Sequence, residues 1–163
     1  MSRAPLPYSQ KIIELFKNPK NAGKMEDATV TASVGSPICG DVVVIYLKIN
    51  EENDVIEKAT FESYGCAANI ASSSILTEMV KGKSLAESWK IGWRDIAREL
   101  GELPSVKAHC GILVVGALKK AIREYYSKKK PPPKWLPEEL TAEEKHVLKE
   151  EKIAEALAKK VRA

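Results

Sequence analysis

Cys39, Cys66 and Cys110 are the residues of this 163-residue chain best suited to bind a metal or to attack sulfur. Each stands beside a glycine, at position 40, 65 or 111, which lowers crowding where a cluster or a sulfur donor must approach the backbone. Asp41 follows Cys39 by two residues, and in an extended segment that spacing puts both side chains on one side. His109 immediately precedes Cys110. The donors therefore fall into three groups: Cys39 with Asp41, Cys66 alone, and His109 with Cys110. Three thiolates joined by an imidazole or a carboxylate suit an iron-sulfur cluster and zinc alike. There is no CxxC pair, so spacing by itself leaves scattered buried cysteines as a competing reading. A third chemistry is a thiol enzyme with Cys110 as nucleophile and His109 or Asp41 as its helper.

The thiols are expected to be reduced. An odd number of widely spaced cysteines, without a charged and then apolar N-terminus, argues against a secreted disulfide framework. No apolar run approaches 18 residues, so the expectation is a soluble, cytoplasmic protein without a membrane partner. The net charge of +4 comes from 26 Lys and Arg against 22 Asp and Glu, and the basic run is confined to Lys128, Lys129 and Lys130. That excess is too weak and too dispersed for a nucleic-acid surface. A chain of this length hides roughly 65–70% of its unfolded surface without help from a metal, so a metal here would serve chemistry rather than folding.

The elements that must position these residues read as strands first and helices afterwards, an α+β order. Ser9 can cap a short helix through Ile12, Ile13, Leu15 and Phe16. Three β-favouring segments follow, Thr29 to Val34, Val42 to Ile49 and Val55 to Tyr64. Their short polar connections predict a small three-stranded antiparallel sheet, since parallel pairing would need long crossovers. Helices packed on one face are then expected from Cys66 to about Lys81-Gly82, from Ser84 through Trp89, from Arg94 to Leu100, and from about Cys110 to Tyr126. Each cysteine thus falls in a loop or at the start of an element, where a thiol near a helix N-terminus is activated by the macrodipole.

Pro131-Pro132-Pro133 marks a boundary, because a proline run stiffens into an extended spacer. We therefore expect a domain over residues 1–130 and a Pro-rich spacer with a C-terminal helical tail over 131–163. Thr141 and Glu144 have the form of a capping box for a helix from Ala142 to about Lys160. Leu140, Val147, Ala154 and Val161 recur every seven residues, but the companion seam positions are mostly Glu. That predicts a helix lying on a neighbouring surface rather than a coiled coil. His146 reads as a surface residue of this tail.

Four motifs in order resemble one known family: Gly35-Ser36-Pro37-Ile38-Cys39-Gly40-Asp41; Tyr64-Gly65-Cys66 followed by Ile70-Ala71-Ser72-Ser73-Ser74; Val80-Lys81-Gly82-Lys83-Ser84-Leu85; and Leu103 to Cys110. Together with Tyr8-Ser9 and Asn18-Pro19-Lys20-Asn21, they resemble the iron-sulfur cluster assembly scaffold family, IscU and the N-terminal domain of NifU, over residues 7 to 127. The resemblance implies a non-enzymatic scaffold. A 2Fe-2S cluster is built on it from iron and from persulfide sulfur supplied by a cysteine desulfurase, then passed to acceptor apoproteins. Electrons would come from a donor such as a ferredoxin.

By motif, the resemblance makes Cys39, Cys66 and Cys110 the thiolate ligands, with Asp41 or His109 at the fourth, exchangeable position. Cys110 matches the persulfide acceptor. Asp41 matches the acidic residue whose removal lengthens the life of the cluster, and Lys107 stands where it can assist by charge. Tyr8 matches a tyrosine of transient dimer contacts, and the cluster could sit within one chain or bridge a homodimer. Zinc would occupy the same Cys, His and Asp ligands in the cluster-free form, or in an alternative role as a structural or regulatory zinc module. Ser105 stands where members served by a dedicated Hsp70 chaperone carry a second proline, which argues against recognition by such a chaperone. The intact His109-Cys110 pair and compact spacing argue against the related SufU class.

Overall fold

A computed structural model describes residues 9–35, 40–101 and 108–162, with the side chains of residues 109, 161 and 162 outside that description. Cys39, Lys107, Tyr8 and Ser105 lie outside the described residues. The element order is α1 (Gln10–Lys17), β1 (Val30–Gly35), β2 (Val42–Asn50), β3 (Val55–Tyr64), α2 (Ala67–Val80), α3 (Leu85–Trp89), α4 (Trp93–Glu99), α5 (Ala108–Lys128) and α6 (Ala142–Arg162). This is the expected α+β arrangement, a three-stranded antiparallel sheet in the order β1-β2-β3 with helices on one face and a C-terminal helix.

The strands follow from their side chains. In β1, Val30, Ala32 and Val34 are buried while Thr31 and Ser33 are exposed, the alternation of a sheet covered on one side. Val43, Ile45, Leu47 and Ile49 of β2 point the same way. Between Lys48 and Ile49 the register of β2 with β3 shifts, Lys48 pairing with Lys58 and Ile49 with Ile56. This bulge absorbs one residue of β3, so Ile56, Ala59 and Phe61 are all buried despite their uneven spacing. Helix α5 lies across β1 and β2, α2 across β3 and α5, and α1 against α2.

The caps are where local chemistry places them. The Ser9 side chain accepts the Ile12 N–H, and that of Ser84 accepts the Glu87 N–H. Helix α5 is described from Ala108 to Lys128, covering the expected span from about Cys110 to Tyr126. His109 and Cys110 are therefore consecutive helical residues rather than a loop-to-helix pair. Consecutive helical positions are about 100° apart around the axis, as 3.6 residues per turn requires.

The tail is docked. Thr141 and Glu144 form the capping box, with Thr141 N–H donating to Glu144 Oε2 at 2.7 Å and Glu144 N–H to Thr141 Oγ1 at 3.5 Å. Val147 is buried against Gly116 of α5, where an added Cβ would overlap the Val147 side chain and come within 3.3 Å of the Glu143 carbonyl. Lys119 pairs with Glu143 at 3.2 Å, Lys120 with Glu151 at 3.2 Å, and Arg123 with Glu144, Arg123 also donating to the carbonyls of Pro137 and Glu139. Trp135 packs against Trp89 and Tyr126. Of the described heptad residues, Leu140 is about one-third exposed, Ala154 is exposed and Val147 is buried, so these three form no continuous buried seam. His146 is half-buried rather than a surface residue, its Nε2 lying 2.9 Å from Glu150 Oε1.

Candidate functional site

Asp41, Cys66 and Cys110 come from three distant stretches of the chain and converge where β2, α2 and α5 begin. Their donor atoms all lie within 4.8 Å of one another. Asp41 Oδ2 is 3.5 Å from Cys66 Sγ and 3.6 Å from Cys110 Sγ, and the two sulfurs are 3.5 Å apart. Asp41 and Cys110 are buried, and Cys66 is half-buried. Two thiols and a carboxylate closing such a triangle make a site with soft and hard donors side by side.

Each side chain has a local reason for its place. Cys66 is the N-cap of α2, in extended conformation, and its carbonyl accepts the N–H groups of Asn69 and Ile70 at 3.1 Å each. It contributes no side-chain cap, so its sulfur is turned toward the other donors. Its own N–H donates to Asp41 Oδ1 at 3.1 Å, which sets the carboxylate at the positive end of α2. Cys110 is held by α5, whose following residues Leu113, Val114, Ala117 and Leu118 are buried in the core. Asp41 precedes β2 and follows Gly40, whose φ of +74° is a left-handed conformation that glycine adopts without strain.

Gly65 is required for a different reason. A Cβ there would overlap the Asp41 carboxylate and stand 3.0 Å from Asp41 Cβ. The glycine before Cys66 is thus the space in which the carboxylate sits. Asn69, fully buried in the first turn of α2, donates from Nδ2 to Asp41 Oδ2 at 3.3 Å and accepts from Ser63 Oγ at 2.5 Å. A buried carboxylate needs such donors.

Of the residues singled out from sequence, the structure brings together Asp41, Cys66 and Cys110. Cys39 and Lys107 lie outside the described residues, and His109 is placed by its backbone alone, in the first turn of α5. Sequence reasoning missed Asn69 and Ser63. Neither stands out by residue type, since α2 carries other polar residues, among them Ser72, Ser73, Ser74, Thr77 and Glu78.

Residues 7–131 match the family described as NifU-like N terminal domain. Iron-sulfur cluster assembly scaffold protein IscU of Escherichia coli is 50% identical over 127 residues, which are 76% of this chain and 98% of that protein. IscU 1 of Archaeoglobus fulgidus is 46% identical over 121 residues, 74% of this chain and 78% of that protein. The crystal structure of a NifU-like protein (N-terminal) from Brucella abortus shares the fold, with a TM-score of 0.61 and 23% identity over 75% of this chain and 96% of that one. No helix among the described residues is long and apolar enough to cross a membrane. With the matched segment spanning α1 to α5 and carrying the converged Asp41, Cys66 and Cys110, the chain belongs to the NifU-like N-terminal domain family.

Proposed function

We propose that this chain is a scaffold on which a 2Fe-2S cluster is assembled and from which it is handed to acceptor apoproteins in the cytoplasm. The observation that carries the reading is the triangle of Asp41, Cys66 and Cys110. Two thiols 3.5 Å apart need only small adjustments to share an iron site, and Cys39 and His109 are the further donors that the motifs supply. The chain acts as a carrier and not as an enzyme: iron and sulfur are its cargo, and each cluster leaves.

The mixed donor set explains why a cluster would leave. A carboxylate is a harder, poorer partner for cluster iron than a thiolate, so Asp41 can hold iron during loading and give way on release. Sulfur would arrive as a persulfide from a cysteine desulfurase, with Cys110 as its final acceptor and Lys107 assisting by charge. Because Cys110 is fully buried while Cys66 is half-exposed, an incoming persulfide meets the Cys66 side of the pair first. Reducing equivalents would come from a ferredoxin-like donor. Zinc fits the same donors and would fill the site when no cluster is present.

The test is anaerobic reconstitution with cysteine, ferrous iron, a reductant and a cysteine desulfurase, following visible absorption together with subunit mass. A 2Fe-2S spectrum that decays on addition of an acceptor apoprotein is the expected result. A colourless protein that retains tightly bound zinc under these conditions would favour a structural or regulatory zinc module instead.

A further inference from the structure

Asp41 does not set its own orientation. Its carboxylate is buried, and one oxygen, Oδ1, is fixed by the Cys66 N–H at 3.1 Å. The other, Oδ2, faces both sulfurs and is met at 3.3 Å by Asn69 Nδ2. Asn69 is itself fully buried and held from behind, because Ser63 Oγ lies 2.5 Å from its Oδ1. A carbonyl oxygen only accepts, so the hydroxyl must donate to it, which leaves the amide NH2 turned toward the carboxylate. Ser63 at the end of β3, Asn69 in α2 and Asp41 before β2 thus form a chain of hydrogen bonds ending on the one oxygen that reaches the thiols.

We infer that Asn69 is a positioning residue that holds Asp41 Oδ2 against the Cys66–Cys110 pair and so sets how readily the cluster is released. The inference rests on the proposed role of Asp41 in cluster lability and extends it to a residue that never touches the cargo. With both thiols deprotonated as ligands and the amide removed, Oδ2 keeps no neutral donor, and the carboxylate can turn away about its remaining anchor on the Cys66 N–H. The site then behaves as one whose carboxylate has been removed.

The experiment is a double-mutant cycle on the half-life of the reconstituted cluster, read from visible absorption under anaerobic conditions with apo-ferredoxin as acceptor. Asn69→Ala keeps a good helix former in α2 and is expected to lengthen the half-life about tenfold, the lower end of what an outer partner of a metal ligand is worth. Asp41→Ala lengthens it at least as much, and adding Asn69→Ala to Asp41→Ala changes nothing further. Ser63→Ala, at the far end of the chain, gives a smaller lengthening that also vanishes in the Asp41→Ala background, and it carries the test if Asn69→Ala does not fold. Half-lives equal to the parent in both Asn69→Ala and Ser63→Ala, or effects of equal size with and without Asp41, would overturn the inference while leaving the role of Asp41 intact. An unchanged half-life in Asp41→Ala alone would instead remove the lability reading beneath it, and the inference with it.

Discussion

The sulfurs of Cys66 and Cys110 lie 3.5 Å apart although 44 residues separate them in the chain. One is at the N-cap of α2 and the other in the first turn of α5, so the distance is set by how these two helices pack. Cys66→Ala and Cys110→Ala are each expected to abolish the 2Fe-2S absorption, as is Cys39→Ala. Folding of Cys66→Ala and Cys110→Ala should survive, since losing one sulfur leaves at most a small cavity costing about 1 kcal/mol. Circular dichroism beside the visible spectrum separates the two effects, and a coloured Cys66→Ala or Cys110→Ala protein would remove that thiol from the ligand set.

Gly65→Ala tests the space reserved for Asp41. A methyl group there overlaps the carboxylate, so either Asp41 swings out, losing its hydrogen bonds to the Cys66 N–H and Asn69, or the backbone shifts. We expect a loss of roughly 1–3 kcal/mol in urea unfolding, typical of overpacking, together with a longer half-life of the reconstituted cluster, as for a site whose carboxylate has been displaced. Unchanged stability and an unchanged cluster half-life would show that the carboxylate need not stand where it does.

Asp54 anchors the far end of α5. At a φ of +54° in the turn between β2 and β3, it accepts the hydroxyls of Tyr125 and Tyr126 at 2.8 Å each and Lys130 Nζ at 2.7 Å. Burial raises its pKa, but these hydrogen bonds and the Lys130 charge outweigh burial and leave it below the usual carboxylate range. A depressed folded pKa means stability that is complete above the unfolded value of about 3.9 and is lost as pH falls through the folded one. Denaturant midpoints are therefore expected to fall on acidification below about pH 4 in the parent and to fall less in Asp54→Asn. At neutral pH Asp54→Asn should cost roughly 1.5–3 kcal/mol, the range for hydrogen bonds to a charged group. A parallel acid profile for the two proteins would contradict the assignment.

Val147→Ala and Gly116→Val probe the docking of α6 from its two sides. Truncating Val147 empties the notch over Gly116 and is expected to cost about 2 kcal/mol. Gly116→Val fills the same notch and should release the helix from α5, exposing the segment after residue 131 to proteolysis. Limited digestion with mass detection reads this directly, and resistance equal to the parent would mean that α6 is held by its ion pairs with Lys119, Lys120 and Arg123 alone.

Much of the frame was legible before any coordinates. The β-branched runs and the alternation of Val30, Ala32 and Val34 specify strands, and Ser9, Ser84 and the Thr141–Glu144 pair announce helix starts through short-range hydrogen bonds. That His109 lies in the same helix as Cys110 was not legible from residue types alone. Nor was the register shift after Lys48, which depends on what the helices cover rather than on β3 itself. At the site, residue type and motif pointed to Asp41, Cys66 and Cys110, yet their contact is a product of tertiary packing. Asn69 has no local signature: an amide in a first helical turn is ordinary until the carboxylate it faces is known. The notch at Gly116 is equally silent, since a glycine inside a helix reads locally as a weakness.

That notch links two parts of the chain that no family pattern joins. Position 116 lies inside the segment matched by the family, and Val147 lies beyond it. A chain of this family without an α6 has no reason to leave residue 116 bare, whereas one that acquires α6 cannot keep a side chain there without displacing it. The two features should therefore be inherited together, and a glycine at this point in α5 becomes a mark by which a docked tail can be recognised in a sequence alone.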